Sequence, residues 1–203
     1  MKRILFIAAL MALCLGAAAQ EKLYEVRSGI ITLEMDMMGQ TVVQQLYFDD
    51  YGAKQANLME FGGQKIRSIE KDGSNIMIDD AARTATRMPA MGPQANNRIN
   101  FLNLDEQTVK KNKIKEVGQE EIAGKPCTKY TYKVLMMGQA VTVTAWVYKG
   151  ITLKSSTKTD FGEMVQKAVK VEEDVQIDPS IYFSLPFRIT TSDTPFLIDS
   201  THD

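Results

Sequence analysis

Histidine and cysteine are almost missing from this chain, and their scarcity removes whole classes of chemistry. The single histidine among 203 residues is His202, next to the last residue, where chains fray. A His-based catalytic triad or a His-ligated zinc site is therefore excluded as a reading. There are two cysteines, Cys14 and Cys127. Only the second lies beyond the leader described below, so no intramolecular disulfide is available. The sequence has no Gly-x-Ser-x-Gly, no His-Glu-x-x-His, no phosphate-binding glycine loop and no dinucleotide fingerprint. Charge of one sign is also lacking, with 24 Lys+Arg against 25 Asp+Glu and no basic run of five residues. Nothing argues for a nucleic-acid partner. Long apolar runs are absent apart from Ile4 to Leu15, which is too short for a membrane span of about 20 residues.

That run follows Lys2 and Arg3 and precedes Gly16-Ala17-Ala18-Ala19, the pattern of a signal peptide over residues 1–19. Cleavage after Ala19 leaves one domain over residues 20–203 with a net charge of −3. Leu13 stands before Cys14 where lipid attachment requires a small residue, so the chain reads as exported and not lipidated. Its destination is the periplasm or an outward-facing surface, and no transmembrane segment follows. Cys127 reads as a buried strand residue rather than a reactive thiol.

Most of residues 20–203 alternate apolar and polar with period two, which predicts half-buried strands. Strands are expected over Leu23–Met35, Thr41–Phe48, Ala53–Phe61, Lys65–Glu70 and Asn75–Asp79. In the second half they are expected over Glu116–Ile122, Cys127–Met136, Ala140–Tyr148, Ile151–Lys158 and Met164–Ile177. Gly and Asp at Gly39, Asp49-Asp50-Tyr51-Gly52, Gly62-Gly63 and Asp72-Gly73 supply the turns. Residues 87–97, with Pro89 and Pro93, read as an irregular loop. One helix of about ten residues is predicted with Asn103 as N-cap, Glu106 in its first turn and Lys110 and Lys111 near its end. Met37-Met38-Gly39-Gln40-Thr41-Val42 is echoed by Met136-Met137-Gly138-Gln139-Ala140-Val141. Each copy sits between strand-like runs, so the halves read as two similar lobes of one antiparallel sheet.

Several stretches together carry a family resemblance. They are the leader, Leu46-Tyr47-Phe48-Asp49-Asp50-Tyr51-Gly52-Ala53-Lys54, Gly124-Lys125-Pro126-Cys127-Thr128-Lys129-Tyr130, Trp146-Val147-Tyr148-Lys149-Gly150-Ile151-Thr152-Leu153-Lys154 and Phe183-Ser184-Leu185-Pro186. In these the chain resembles the LolA/LolB-like extracytoplasmic lipoprotein-carrier superfamily, and most of all its relatives of unknown function in Gram-negative envelopes. The resemblance implies a mainly β fold, a curved antiparallel sheet forming an incomplete barrel with one or few short helices as a lid. It also implies an apolar cavity that takes lipid or acyl chains. The carriers' early basic and aromatic strand pattern is not found here, so no site residue is transferred.

Acidic pairs at Asp49-Asp50, Asp79-Asp80, Glu120-Glu121 and Glu172-Glu173 fall on strands or turns where neighbours point to opposite faces, which argues against paired acid–base carboxylates. Asp49 and Asp50 with Asp72 fall short of the oxygen density a calcium site needs. No catalytic residue, metal site or cofactor is assigned, and the chain does not read as an enzyme. Methionine is the unusual presence, at 12 residues. Adaptable thioether side chains suit a cavity wall. The predicted lining is Met35, Met37, Val43, Tyr47, Met88, Met91, Phe101, Met137, Val141 and Trp146 around a hydrophobic ligand. An exported carrier for a lipid or lipoprotein acyl chain is the first reading. A structural or interaction module docking an envelope protein by a sheet edge or methionine surface is the alternative. A Cu(I) site from Met35-x-Met37 and Met88-x-x-Met91 stands third.

Overall fold

A computed structural model describes residues 22–37, 40–61, 63–71, 74–88, 99–136, 138–159, 162–186 and 188–191. The expected leader and its cleavage point lie outside these residues. Twelve strands form one sheet: β1 Gly29–Met37, β2 Gln40–Asp49, β3 Lys54–Phe61, β4 Gln64–Lys71, β5 Ser74–Asp79, β6 Thr84–Met88, β7 Lys115–Ile122, β8 Lys125–Met136, β9 Gln139–Tyr148, β10 Ile151–Thr159, β11 Gly162–Glu173 and β12 Ile189–Thr191. Helix α1 spans Glu106–Asn112 and a single turn, α2, spans Pro179–Tyr182. The spatial order is β12-β6-β5-β4-β3-β2-β1-β11-β10-β9-β8-β7, antiparallel throughout except for the parallel β12–β6 edge. The sheet is rolled, with β7 reaching β11 across the strands between them, yet not closed. It is an incomplete barrel, as the resemblance implies.

Two similar runs build the sheet. β1–β2–β3 and β8–β9–β10 are both three-strand meanders, and the described residues of the repeated hexapeptides fall where the first two strands of each meet. Met37 pairs with Gln40 in one and Met136 with Gln139 in the other, both across two-residue connections.

Four sequence expectations need correction. Residues 23–28 do not continue β1, because Leu23 and Tyr24 donate to the Tyr51 carbonyl and Glu25 to that of Lys149. β11 ends at Glu173, where Asp174 adopts φ 54 and donates to the Ser28 carbonyl. The helix starts two residues later than predicted, with Asp105 as N-cap, whose carboxylate accepts from the Thr108 amide at 2.8 Å. The predicted 87–97 loop begins inside β6, and β6 and β12 were not expected at all.

Two cores result. One gathers Ile31, Leu33, Phe48, Leu153 and Ala168 with Tyr24 and Val26 of the N-terminal segment, and the Tyr24 ring meets Phe48 edge-on at 4.9 Å. The other gathers Tyr47, Ala56, Ile69, Ile76, Ile78 and Ala85. The segment after β11 covers this second core with Ile177, Tyr182, Phe183 and Leu185, and the Tyr182 ring stacks on Tyr47 at 3.9 Å.

Candidate functional site, an uncharged sheet face

Side chains alternate across a strand, so following the register from strand to strand sorts every residue onto one of two faces. Tyr130 pairs with Ala145, Ala145 with Ser155, Ser155 with Gln166, Gln166 with Met35 and Met35 with Val42. The adjacent row on the opposite face runs Lys129, Trp146, Lys154, Lys167, Glu34, Val43, Glu60 and Lys65.

The two faces differ sharply in charge over the seven adjacent strands from β8 to β3. The first face, counting β11 as far as Val171, holds no charged side chain among the described residues. On it stand Met35, Met59, Met164, Val141, Val143, Tyr130 and Tyr132, with a few neutral polar groups. On the same strands the second face holds Lys125, Lys129, Lys133, Lys154, Lys158, Glu163, Lys167, Lys170, Glu172, Glu34, Asp36, Asp49, Lys54 and Glu60.

The neutral face is neither sealed nor fully open. Val42 and Val143 are buried, Met35, Met59, Val141, Tyr130 and Tyr132 are half-buried, and Met164 is 46% exposed. Phe101 packs onto it, its ring 5.1 Å from that of Tyr130 and 5.9 Å from that of Tyr132. A local turn sets Phe101 there: Asn100 accepts from the Leu102 amide and its own side chain donates to the Lys22 carbonyl. Burial pushes the Tyr132 phenol up to about 12 and raises that of Tyr130 as well. Both phenols stay protonated at neutral pH, and the face stays uncharged.

The register separates the predicted lining residues. Met35, Phe101 and Val141 come together on or against the neutral face. Val43, Tyr47 and Trp146 fall on the opposite one. There Val43 is 41% exposed, and Tyr47 belongs to the second core. Trp146 is 5% exposed because Lys129 and Lys154 lie over its ring at 4.7 and 4.1 Å and its Nε1 donates to Glu120 at 2.6 Å. Met37 and Met88 lie in strands, but their side chains are outside the described residues, as are Met91 and Met137 entirely. The methionine pairs considered for Cu(I) fall partly outside for the same reason.

Three neutral polar residues on this face were not expected as site residues: Gln44, Asn57 and Gln166. Gln166 Nε2 donates to Gln44 Oε1 at 2.8 Å, and Gln44 Nε2 donates to Asn57 Oδ1 at 2.7 Å. The signal for them was present in the alternation, since Gln44 occupies the same phase as Val42 and Leu46.

The remaining polar features lie elsewhere. A recess of about 380 Å³ is lined by Arg27, Ser28, Asp49, Asp174, Val175, Gln176 and Ile177, where the strand ends meet the C-terminal segment. Asp49 accepts from the Asp50 amide, and Asp50 pairs with Lys54 at 2.5 Å. Among the described residues no cluster of three His, Cys, Asp or Glu side chains is placed to hold a metal ion, and no helix is long and apolar enough to cross a membrane.

No family model and no curated protein matches the chain. Solved structures do resemble it. A crystal structure of an uncharacterized conserved protein from Thermus thermophilus matches with TM-score 0.57 at 7% identity, covering 83% of this chain and 92% of that one. MucB of Pseudomonas aeruginosa, solved in complex with MucA, matches with TM-score 0.49 at 14% identity over 74% of this chain. The match spans only 53% of the MucB chain, about half its length. A LolA superfamily protein from Nitrosomonas europaea matches with TM-score 0.39 at 8% identity, covering 78% and 91% of the two chains. At these identities the likeness is one of fold alone, and of these three the Thermus thermophilus structure carries it, with a TM-score above 0.5.

Proposed function

We propose that this is an exported, non-enzymatic carrier that holds a hydrophobic ligand, a lipid or acyl chain of the cell envelope, on the neutral face of its half-barrel. One observation carries the reading: over seven consecutive strands, with β11 counted as far as Val171, no described residue places a charge on that face while fourteen charged residues stand on the other. Burial in the first core accounts for the uncharged face at Ile31, Leu33, Phe48 and Ala168, but Met35, Met59, Val141 and Met164 on the same face are not buried. A partly exposed apolar surface of this extent marks a binding site. Among the described residues the only titratable groups on it, with β11 counted as far as Val171, are the Tyr130 and Tyr132 phenols, which stay protonated at neutral pH. The leader-like residues 1–19 support export.

The test is native mass spectrometry of the protein from an exporting bacterial host, with organic extraction of what co-purifies. Met35→Lys and Val141→Asp, which place charge on the neutral face, are expected to remove a lipid adduct. Val43→Lys, adjacent in sequence to the Val42 partner of Met35 but on the other face, is expected to keep it. An unliganded protein that also ignores added lipid would overturn the reading. So would loss of the adduct in all three variants with the fold intact.

The open edge at β7, exposed from Lys115 to Glu121, favours a second reading as a strand-docking module for a protein partner. Glu116, Glu120 and Glu121 guard that edge against indiscriminate pairing, which ranks this reading below the carrier.

A further inference from the structure

The polar chemistry of the ligand can be read from the amides that interrupt the neutral face. Gln166 on β11 and Gln44 on β2 flank β1, and Asn57 lies beyond on β3, so the ladder crosses four strands. Between its ends the register neighbours are apolar, Met35 beside Gln166, Leu33 and Met59 beside Gln44, and Leu46 beside Asn57, while a serine stands beyond each end, Ser155 beside Gln166 and Ser68 beside Asn57. All three amides are half-buried. A surface built only for packing, or only for an alkyl chain, is better served by hydrocarbon, because half-buried amides bring a desolvation cost that must be met by partners.

Protein partners meet only part of it. Each amide group offers two N–H donors and two acceptor lone pairs. The two bonds within the ladder leave Gln166 Oε1 and Asn57 Nδ2 with no protein partner among the described residues. No buried side-chain nitrogen or oxygen is orphaned among those residues, so these ends stay accessible from the face. The ladder therefore presents an acceptor at one end and a donor at the other, with no charge at either. The lysines of these strands point away from it: Lys167 and Lys154 share the opposite face with Trp146. An ionised carboxylate seated here would find no cation and would carry the full cost of leaving water. An ester or amide linkage matches both the donor and the lack of charge.

We propose that the Gln166–Gln44–Asn57 ladder binds the uncharged acyl linkage, an ester or amide, of an amphiphile whose hydrocarbon chain lies over Met35, Met59 and Val141. The site selects acyl esters or amides over free fatty acids. This inference rests on the carrier reading and names the ligand class for the same face.

Equilibrium binding of the delipidated full chain to monopalmitoylglycerol and to palmitate, at about pH 8 where the acid is ionised, compares ligands with one chain and different linkages. The ester is expected to bind at least about tenfold more tightly. Gln44→Leu, which removes the middle of the ladder and keeps apolar volume, is expected to bring the two within about threefold of one another. Palmitate binding as tightly as the ester, or Gln44→Leu keeping the preference, overturns the inference and leaves the carrier reading intact. Binding of neither ligand by the unaltered chain, together with a lipid-free native mass spectrum, overturns both. The comparison on the unaltered chain decides the matter even if the variant fails to fold.

Discussion

Glu173 offers a sharp test of how the rolled end of the sheet is held. Its carboxylate, 18% exposed, closes β11 and takes an ion pair from Lys125 at the start of β8, another from Lys149 at 2.9 Å, and a hydrogen bond from the Tyr148 hydroxyl at 3.2 Å. Burial alone would raise its pKa, but the bonds from Lys125 and Lys149 outweigh that and hold it at about 2 against an ordinary 4.5. The difference is equivalent to roughly 3 kcal/mol between the charged and neutral carboxyl. Lys125 and Lys149 are 29% and 38% exposed, and solvent screening reduces the net contribution to about 1–2 kcal/mol. A depressed folded-state pKa stabilises above the unfolded value and is lost as pH falls through the folded one. The contribution is thus complete at neutral pH and disappears between about 4.5 and about 2. Glu173→Gln keeps the shape and removes the charge. Urea unfolding at pH 7 should show it less stable by about 1–2 kcal/mol, a melting shift of roughly 2–8 °C. That gap should close as both proteins are acidified toward about pH 2. A gap that is the same at every pH, or below about 0.5 kcal/mol at pH 7, would refute the ion-pair account.

Other predictions follow from the same geometry. A lipid brominated on its chain should quench Trp146 weakly, because Trp146 lies on the charged face, and quench Phe101→Trp strongly in a Trp146→Phe background; equal quenching would contradict the assignment of faces. Cys127 is 2% exposed and burial raises its thiol pKa, so alkylation of the native protein should be slow and become fast in urea. A thiol that reacts equally fast in both states would contradict its burial. At Gly150, with φ 83, an added Cβ would sit 2.3 Å from the Leu23 carbonyl oxygen and 2.9 Å from Leu102 Cγ. Gly150→Ala should cost about 2–4 kcal/mol in urea unfolding. Gly124→Ala, with φ 72 and open space around it, should cost about 1 kcal/mol; similar costs at the two sites would show that the close approach to the N-terminal segment does not matter.

The sheet was legible where two local signals agreed. Alternation with Gly or Asp turns located β1 through β5 and β7 through β11, because hairpins need only neighbours in sequence. β12 escaped because its three residues acquire strand geometry from a parallel partner about a hundred residues away, Ile189 beside Ala85. Residues 23–27 alternate like a strand, yet the Tyr51 and Lys149 carbonyls capture them first. Asn103 and Asp105 both offer an N-cap side chain, and the bond from the Thr108 amide to Asp105 decides between them.

The site was legible only in part, because hydrophobicity selects residues while register selects faces. Val42 and Val43 are chemically identical and adjacent, yet Val42 is 2% exposed beside Met35, and Val43 is 41% exposed between Glu34 and Glu60. Extra residues in β10 near Thr152 and in β11 opposite Thr32 and Leu33 shift the phase further, so no single strand's alternation can be extended across the sheet without the pairing. Trp146 shows the opposite error. Its burial comes with the Lys129 and Lys154 ammonium groups over its ring, a hydrogen bond to Glu120 and a place in the first core, while its register position is on the charged face. A search for apolar residues finds Trp146 and passes over Gln44, although Gln44 lies on the neutral face and Trp146 on the charged one. On the proposed carrier reading the face must provide hydrocarbon for the chain and hydrogen bonds for the linkage, and Gln44, Asn57 and Gln166 answer the second requirement, which an ordinary core does not have.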